Sequence, residues 1–494
     1  MKPLPADAEV LLDSAHVERW KPTVAAGITM PQLSVWDAVS IIVGIVVGTA
    51  VFLTPPLVFQ NVAGPWQALG VWLLGGILCI FGAFCYAELA TAYPRNGGDY
   101  EYLSRAYGRW MGFLFSWAQL AVILTGSIGA MAYALADYGA NLWPLSPGAK
   151  ALVAAGAIAA LSALNLLGLT VGKSAQNILT ATKVLGLGGV VVAGLFWGQA
   201  DVWLAADAPA RAMNMSFGLA MVFVLYAYGG WNDAAFIAAE VRNQHRNMPR
   251  ALVLGLAAIA VVYLAVNAAY LGVLGFDAAR ESSTPAADVL QRAVGPWGGK
   301  AISVLVMISA LGAINGMILA GSRVYATTGE DHRLFARLGK WNHRTVPAAA
   351  VVAQALFALG LVLAVGTTRG QGAIDRALGW VSLPPLPWAK YFGGFATLVA
   401  GTAPVFWVFF LLTGVSLIVL RIKDPDRPRP FTAPLYPLTP LVFCGTCIYM
   451  LYSSLTYAGA LSLIGLVPLV IGLVLYAFAG GQRPKTEPYP SPSG

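Results

Sequence analysis

Uninterrupted apolar stretches of about 20 residues recur along the whole chain, each long enough to cross roughly 30 Å of hydrocarbon as a helix. About twelve can be delimited, starting at Trp36, Gln67, Trp110, Ala149, Ser174, Asn214, Asn247, Lys300, Val346, Phe395, Leu438 and Leu461. Inside a bilayer every backbone N–H and C=O must find a partner within the protein, so only helices or a closed barrel can span it. The stretches are continuous rather than alternating, which excludes the barrel. With 58% hydrophobic and 11% charged residues in 494, a water-soluble surface is out of reach. The expected fold is therefore an all-α polytopic membrane protein.

Charge sets the expected orientation. An even number of spans returns both termini to one side, and with the termini inside, inward connections hold roughly 21 Lys and Arg against roughly 8 outside. This positive-inside bias accounts for the net charge of +8 without a nucleic-acid partner. Residues 1–34 carry mixed charges and no apolar core before a small-residue cleavage site, so they read as a cytoplasmic tail, as do residues 481–494. The expected location is the cell (inner or plasma) membrane, multi-pass, with both termini cytoplasmic. Asp37, at the edge of the first stretch, reads as a helix start.

Enzyme chemistry finds no footing. His16, His245, His332 and His343 lie in the tail or in connections without HExxH or paired metal-ligand spacing, so no metal or other cofactor is expected. No G-x-S-x-G elbow, Walker loop or dinucleotide fingerprint occurs, which removes hydrolysis and ATP-driven transport. The cysteines Cys79, Cys85, Cys444 and Cys447 all fall in apolar stretches, where an extracellular disulfide framework cannot form. Cys444-Gly-Thr-Cys447 has redox-pair spacing, but thiols one turn apart in a membrane helix are ordinarily packing residues.

Two Gly-interrupted segments stand five spans apart. The first span reads Gly44-Ile-Val-Val-Gly48-Thr49-Ala50-Val51-Phe52, and the sixth reads Tyr226-Ala227-Tyr228-Gly229-Gly230-Trp231-Asn232-Asp233. Glycine weakens a helix and admits a ligand close to the backbone, while unwinding frees polar groups that hydrocarbon cannot satisfy. Such breaks are tolerated beside a cavity, where half-helix amides face an anion and freed carbonyls face a cation. A zwitterion such as a free amino acid carries both charges. Gly44-x-x-x-Gly48 taken alone also fits a close-packing motif, and the pairing of two breaks favours the binding reading.

At these residues the sequence resembles the amino acid–polyamine–organocation permease superfamily, most of all its L-type amino-acid transporters and their bacterial relatives. Gly48-Thr-Ala-Val-Phe52 is similar to the family's G-S-G-I-F element and Tyr226-Ala-Tyr-Gly-Gly-Trp-Asn232 to its F-A-Y-G-G-W-N element. Cys85-Tyr-Ala-Glu-Leu89, Gly97-Gly-Asp-Tyr100, Arg246-Asn-Met-Pro249 and Arg427-Pro-Arg-Pro-Phe431 add matches in order. The resemblance implies about 12 transmembrane helices in a 5+5 inverted repeat, the LeuT-like arrangement, with helices 1 and 6 broken and two C-terminal helices added. The repeats would occupy residues 35–200 and 210–422, and the last two helices residues 436–480.

For the site, the resemblance implies that a substrate carboxylate meets the amides and hydroxyl around Gly48, Thr49 and Ala50. The amine would meet carbonyls near Val46, Tyr226 and Ala227. Tyr226 would be an aromatic gate, with Gly229 and Asn232 shaping the side-chain pocket. Ala50 stands where the pattern has its second glycine, and its methyl narrows that space. Lys183, in the fifth span, resembles the family lysine whose ammonium takes the place of a sodium ion, which implies sodium-independence; alternatively it snorkels to the interface. Glu88 and Glu240, with Asp233, read as inner-gate ion-pair partners of Arg95, Arg105, Arg242 and Arg246, with proton relay as the alternative.

Residues 367–394 read as an interfacial loop anchored by Trp380 and Trp388. No cysteine lies between Tyr138 and Lys150, so the disulfide that holds a heavy subunit in some L-type relatives has no attachment there, and a monomer or homodimer is expected. The function implied is transport of amino acids by alternating access, through exchange or proton coupling. The alternatives are a polyamine or organic-cation permease and a non-transporting amino-acid sensor.

Overall fold

The computed structural model describes residues 34–93, 98–167, 173–199, 216–232, 241–340, 346–380, 382–388 and 393–478. The tails at 1–33 and 479–494, and with them Asp233, Glu240 and Arg95, lie outside the described residues. Among the described residues the chain is helical with no β-strand, as the need to satisfy backbone groups in hydrocarbon requires. Eight helical segments are long and apolar enough to cross a membrane: Pro65–Ala92, Arg109–Gly139, Pro147–Leu166, Arg246–Leu274, Pro296–Asp331, Ala348–Gly366, Gly393–Lys423 and Leu438–Ala477. Shorter apolar helices run over Val35–Gly44, Lys183–Trp197 and Phe217–Tyr228.

The first apolar stretch is two helices, α1 (Val35–Val46) and α2 (Thr54–Phe59), joined by a 3-10 turn at Thr49–Phe52. Asp37 does start a helix: its carboxylate accepts from the Ser34 amide at 2.9 Å, and Ser34 Oγ accepts from the Asp37 amide at 3.2 Å, closing a capping box. There follow α3 (Pro65–Ala92), the short amphipathic α4 (Asp99–Tyr107), α5 (Arg109–Gly139), α6 (Pro147–Leu166) and α7 (Lys173–Trp197). The sixth apolar stretch begins as α8 (Phe217–Tyr228) and stops at Gly229. Beyond it come α9 (Gln244–Leu274), the short α10 (Phe276–Glu281) and α11 (Pro285–Val294), and α12 (Pro296–Asp331). The last elements are α13 (Ala348–Gly366), α14 (Thr368–Trp380), α15 (Gly393–Lys423), α16 (Leu438–Ala458) and α17 (Leu463–Phe478).

Packing places α8 in the centre, against α3 and α16, while α9 runs beside α1, α3 and α7. Helix α5 packs on α12 and α15. Small residues set the approach of α3: a Cβ added at Gly82 would stand 2.7 Å from the Trp231 ring, so only hydrogen lets that ring seat itself. The segment 367–394 is not a plain loop. Its first half is α14, and Asp375 accepts from the Leu386 amide and Trp388 Nε1, both at 3.0 Å, folding the rest back. Leu378 and Leu386 bury against Ala400, Ala458 and Leu461, whereas Trp380 stays 88% exposed. An amphipathic helix lying on the bundle satisfies its own backbone, which a bare loop at an interface could not do as well.

Candidate functional site

Helix α1 ends where Val47 leaves the helical region, with ψ at 76°. Gly48 is extended, its N–H donates back to the Val46 carbonyl at 2.7 Å, and no side chain caps the turn that starts at Thr49. Gly48 is half-buried deep within the bundle, so this backbone borders open space. Thr49 does not point its hydroxyl at that space: Thr49 Oγ1 lies 3.2 Å from Ser309 Oγ of α12. The Ala50 carbonyl accepts from Thr54 Oγ1 at 3.0 Å, which steadies the step from the turn into α2.

The second break mirrors the first. The Gly229 N–H donates to the Tyr226 carbonyl at 3.0 Å, and Gly230 then takes φ of +100°, a conformation that a side chain would strain. Gly229, Gly230 and Asn232 are half-buried, like Gly48. Gly229, Trp231, Phe406 and Phe410 line a narrow apolar cavity of about 20 Å³. Asn232 turns its amide to Asp99 at the start of α4.

A residue that the sequence reading overlooked joins the two breaks. Tyr263 of α9 is fully buried, and its hydroxyl stands 2.9 Å from the Val46 carbonyl and 3.0 Å from the Ala227 carbonyl. A phenol has one proton, so it can donate fully to one carbonyl at a time and leaves acceptor capacity on the other. The ring is fixed by edge contacts with Trp72 at 5.5 Å and a tilted contact with Tyr228 at 5.1 Å. A tyrosine in the middle of an apolar span was the available signal, because its hydroxyl needs a polar partner there, although Tyr270 of the same span gives the same signal.

On the α2 side of the breaks aromatic residues make cross-bundle contacts. The Tyr226 ring meets Phe395 of α15 edge to face at 5.9 Å, and Ser127 of α5 hydrogen-bonds its hydroxyl. Tyr138 of α5 donates to the Phe52 carbonyl at 2.9 Å, pinning the turn. On the other side, Lys183 lines a cavity of about 220 Å³ with Ser40, Val43, Gly44 and Val47 of α1 and its end. Lys183 is 6% exposed and has no hydrogen-bond or ion-pair partner among the described residues. It faces α1, without the bond to the unwound backbone that the resemblance implies.

Glu88, 2% exposed on α3, does form ion pairs, but with other partners than those expected. Arg421 at the end of α15 grips it with both arms, Nε to Oε1 at 2.7 Å and Nη2 to Oε2 at 2.6 Å. Arg429 stands 3.7 Å away, and the Ala433 amide donates at 2.7 Å. Arg105 instead pairs with Glu101 on its own helix at 2.5 Å. Sequence spacing favoured nearby arginines, whereas the fold returns the end of α15 to α3. The four cysteines are buried with free thiols.

Comparison with known proteins fits this geometry. The family described as Amino acid permease matches residues 33–478. The chain is 28% identical over 429 residues to the serine/threonine exchanger SteT of Bacillus subtilis (strain 168), covering 86% of this chain and 91% of that one. It is 29% identical over 415 residues to the human b(0,+)-type amino acid transporter 1, covering 82% and 78%. With the human cystine/glutamate transporter it shares 28% over 458 residues, covering 90% and 84%. A chain in which the ends of α1 and α8 meet across one buried phenol, and whose length is spanned by this match, belongs to the amino acid permease family and is a membrane transporter of amino acids, not an enzyme.

Proposed function

We propose that this permease exchanges amino acids across the cell membrane by alternating access and without sodium. The observation that carries the reading is the convergence of the Val46 and Ala227 carbonyls on the Tyr263 hydroxyl beside half-buried glycines of both breaks. Main-chain polarity is concentrated there, at a depth where it is tolerated only around a polar occupant. The carboxylate would rest on the amides of Thr49 and Ala50, whose turn lacks a side-chain cap, and the ammonium would take up the acceptor capacity at whichever of Val46 and Ala227 the phenol leaves free. Such contacts recognise the part common to all α-amino acids. Tyr226 closes the outer path with Phe395, and the side chain of the substrate extends past Gly229 toward Phe406 and Phe410.

The buried Lys183 ammonium beside α1 supports sodium-independence, since a fixed charge there opposes a cation. That one relative, SteT, is named a serine/threonine exchanger supports exchange over net uptake. In this reading residues 35–200 and 210–422 are the inverted repeats, both termini are cytoplasmic, and the protein works without a disulfide-linked partner. The test is uptake of radiolabelled amino acids into proteoliposomes, with sodium, a proton gradient and internal amino acid supplied one at a time. Stimulation by internal amino acid but not by sodium is the expected result. Uptake that requires sodium, or no uptake of any amino acid by folded protein, would overturn the reading.

A further inference from the structure

The run Gly97-Gly-Asp99-Tyr100 has no part in the site described so far, yet its acidic residue sits at a junction. Asp99 is 5% exposed. Its Oδ1 accepts from the Tyr86 hydroxyl of α3 at 2.6 Å and from Thr413 Oγ1 of α15 at 3.0 Å. Asn232, two residues beyond Gly230, adds a third hydrogen bond. Tyr86 in turn packs edge to face on Trp231 at 5.1 Å and on Phe410 at 5.9 Å. One carboxylate therefore joins four elements: α3, α4, α15 and the chain leaving the second break.

We propose that Asp99 is a positioning residue for transport, a clamp that holds the Trp231–Asn232 segment against α15 more tightly when protonated and loosens it when ionised. The inference rests on the transport reading above. Burial penalises the ionised carboxylate; a protonated one sheds that penalty, keeps the two Oδ1 lone pairs that accept from Tyr86 and Thr413, and gains an O–H to donate, so neutralisation favours the closed arrangement. Burial pushes Asp99 up to about 6, against the pull of the hydrogen bonds from Tyr86, Thr413 and Asn232. The closed, buried arrangement thus binds the proton more tightly than a solvated carboxyl does, so the clamp tightens as pH falls through that value and loosens above it. The titratable groups facing it are Tyr86 from α3, Tyr102 and Glu101 from α4, the latter held by Arg105, and Cys447 of α16 beyond Tyr86. Asp233, the next residue after Asn232, lies outside the described residues. A substrate lodged at the second break presses on the same segment, so release of α15 from Asn232 would accompany movement of the bundle.

Hydrogen–deuterium exchange on the purified full chain without substrate tests the clamp directly. After correction for intrinsic exchange, protection of peptides containing Trp231, Asn232 and α4 should rise about tenfold between about pH 7.5 and about pH 5, as the buried carboxyl takes up its proton. Asp99→Asn should show the low-pH pattern already at neutral pH, with little further change. Thr413→Val, which removes one donor from the carboxylate, should move the wild-type transition to higher pH, and serves if the first variant does not fold. In proteoliposomes KM for the exchanged amino acid should fall at low pH in wild type and be flat with pH in Asp99→Asn. Protection independent of pH in wild type, or an unaltered pH response in both variants, would overturn the clamp. Absence of amino-acid uptake by wild type would overturn the transport reading instead, and the exchange measurement, which needs no substrate, tells the two failures apart.

Discussion

Tyr263 carries one proton and faces two carbonyls, so its hydroxyl matters to the site more than to the fold. In Tyr263→Phe the ring and its contacts with Trp72 and Tyr228 remain, while Val46 and Ala227 lose their donor. A net hydrogen bond of about 1 kcal/mol translates to a KM raised on the order of fivefold in folded protein, measured by exchange kinetics. An unchanged KM would make the phenol a packing residue. Glu88 shows the opposite balance. Its buried, doubly bonded pair with Arg421 closes α15 onto α3, so Glu88→Ala leaves a guanidinium and the Ala433 amide without their acceptor. About 2–4 kcal/mol of stability should be lost, seen as a lower melting temperature in detergent. Lys183→Ala should cut exchange severely; normal uptake would show that its position against α1 is incidental.

The glycines of the second break act as an element, since each enables a different part of the turn. Gly230 supplies the left-handed φ, and a Cβ at Gly229 would stand 3.0 Å from the Tyr226 carbonyl. Gly229→Leu should therefore abolish ligand binding, measured by scintillation proximity, in protein that still elutes as a folded species. Retained affinity would mean that the binding site lies elsewhere. These breaks were legible because glycine pairs are conspicuous inside apolar helices. The helix α14 was not, because its amphipathic pattern is short and the prolines after it suggested loop along the whole segment. The partners of Glu88 were not legible either, since no local spacing links α3 to a residue more than 300 positions away.

Across the whole molecule, cross-bundle contacts lie on the α2 side, through Tyr226 with Phe395 and Tyr138 with Phe52, while the Lys183 cavity borders α1. In the orientation proposed above, the α2 side would be the exterior face. Orientation is checked by impermeant thiol reagents: a cysteine at Ser146, before α6, should react in intact cells, and one at Asp426, after α15, only once the membrane is permeabilised. The native cysteines are buried and should stay silent. The reverse pattern would invert the topology and with it the direction of the gates.

Hydrophobic length, charge asymmetry and glycine placement are properties of the chain read locally, and the bilayer imposes its demands locally too, residue by residue along each span. For that reason the sequence by itself determined the helical membrane class, the two Gly-interrupted segments and the candidate residues Gly48, Thr49, Tyr226 and Gly229. Only the tertiary structure decided which groups meet across them: Thr49 with Ser309, Tyr263 with both breaks, Glu88 with Arg421, and Asp99 with Asn232. Polar pairs buried in an apolar bundle are chosen by how helices distant in sequence pack, and the low dielectric makes each such meeting consequential.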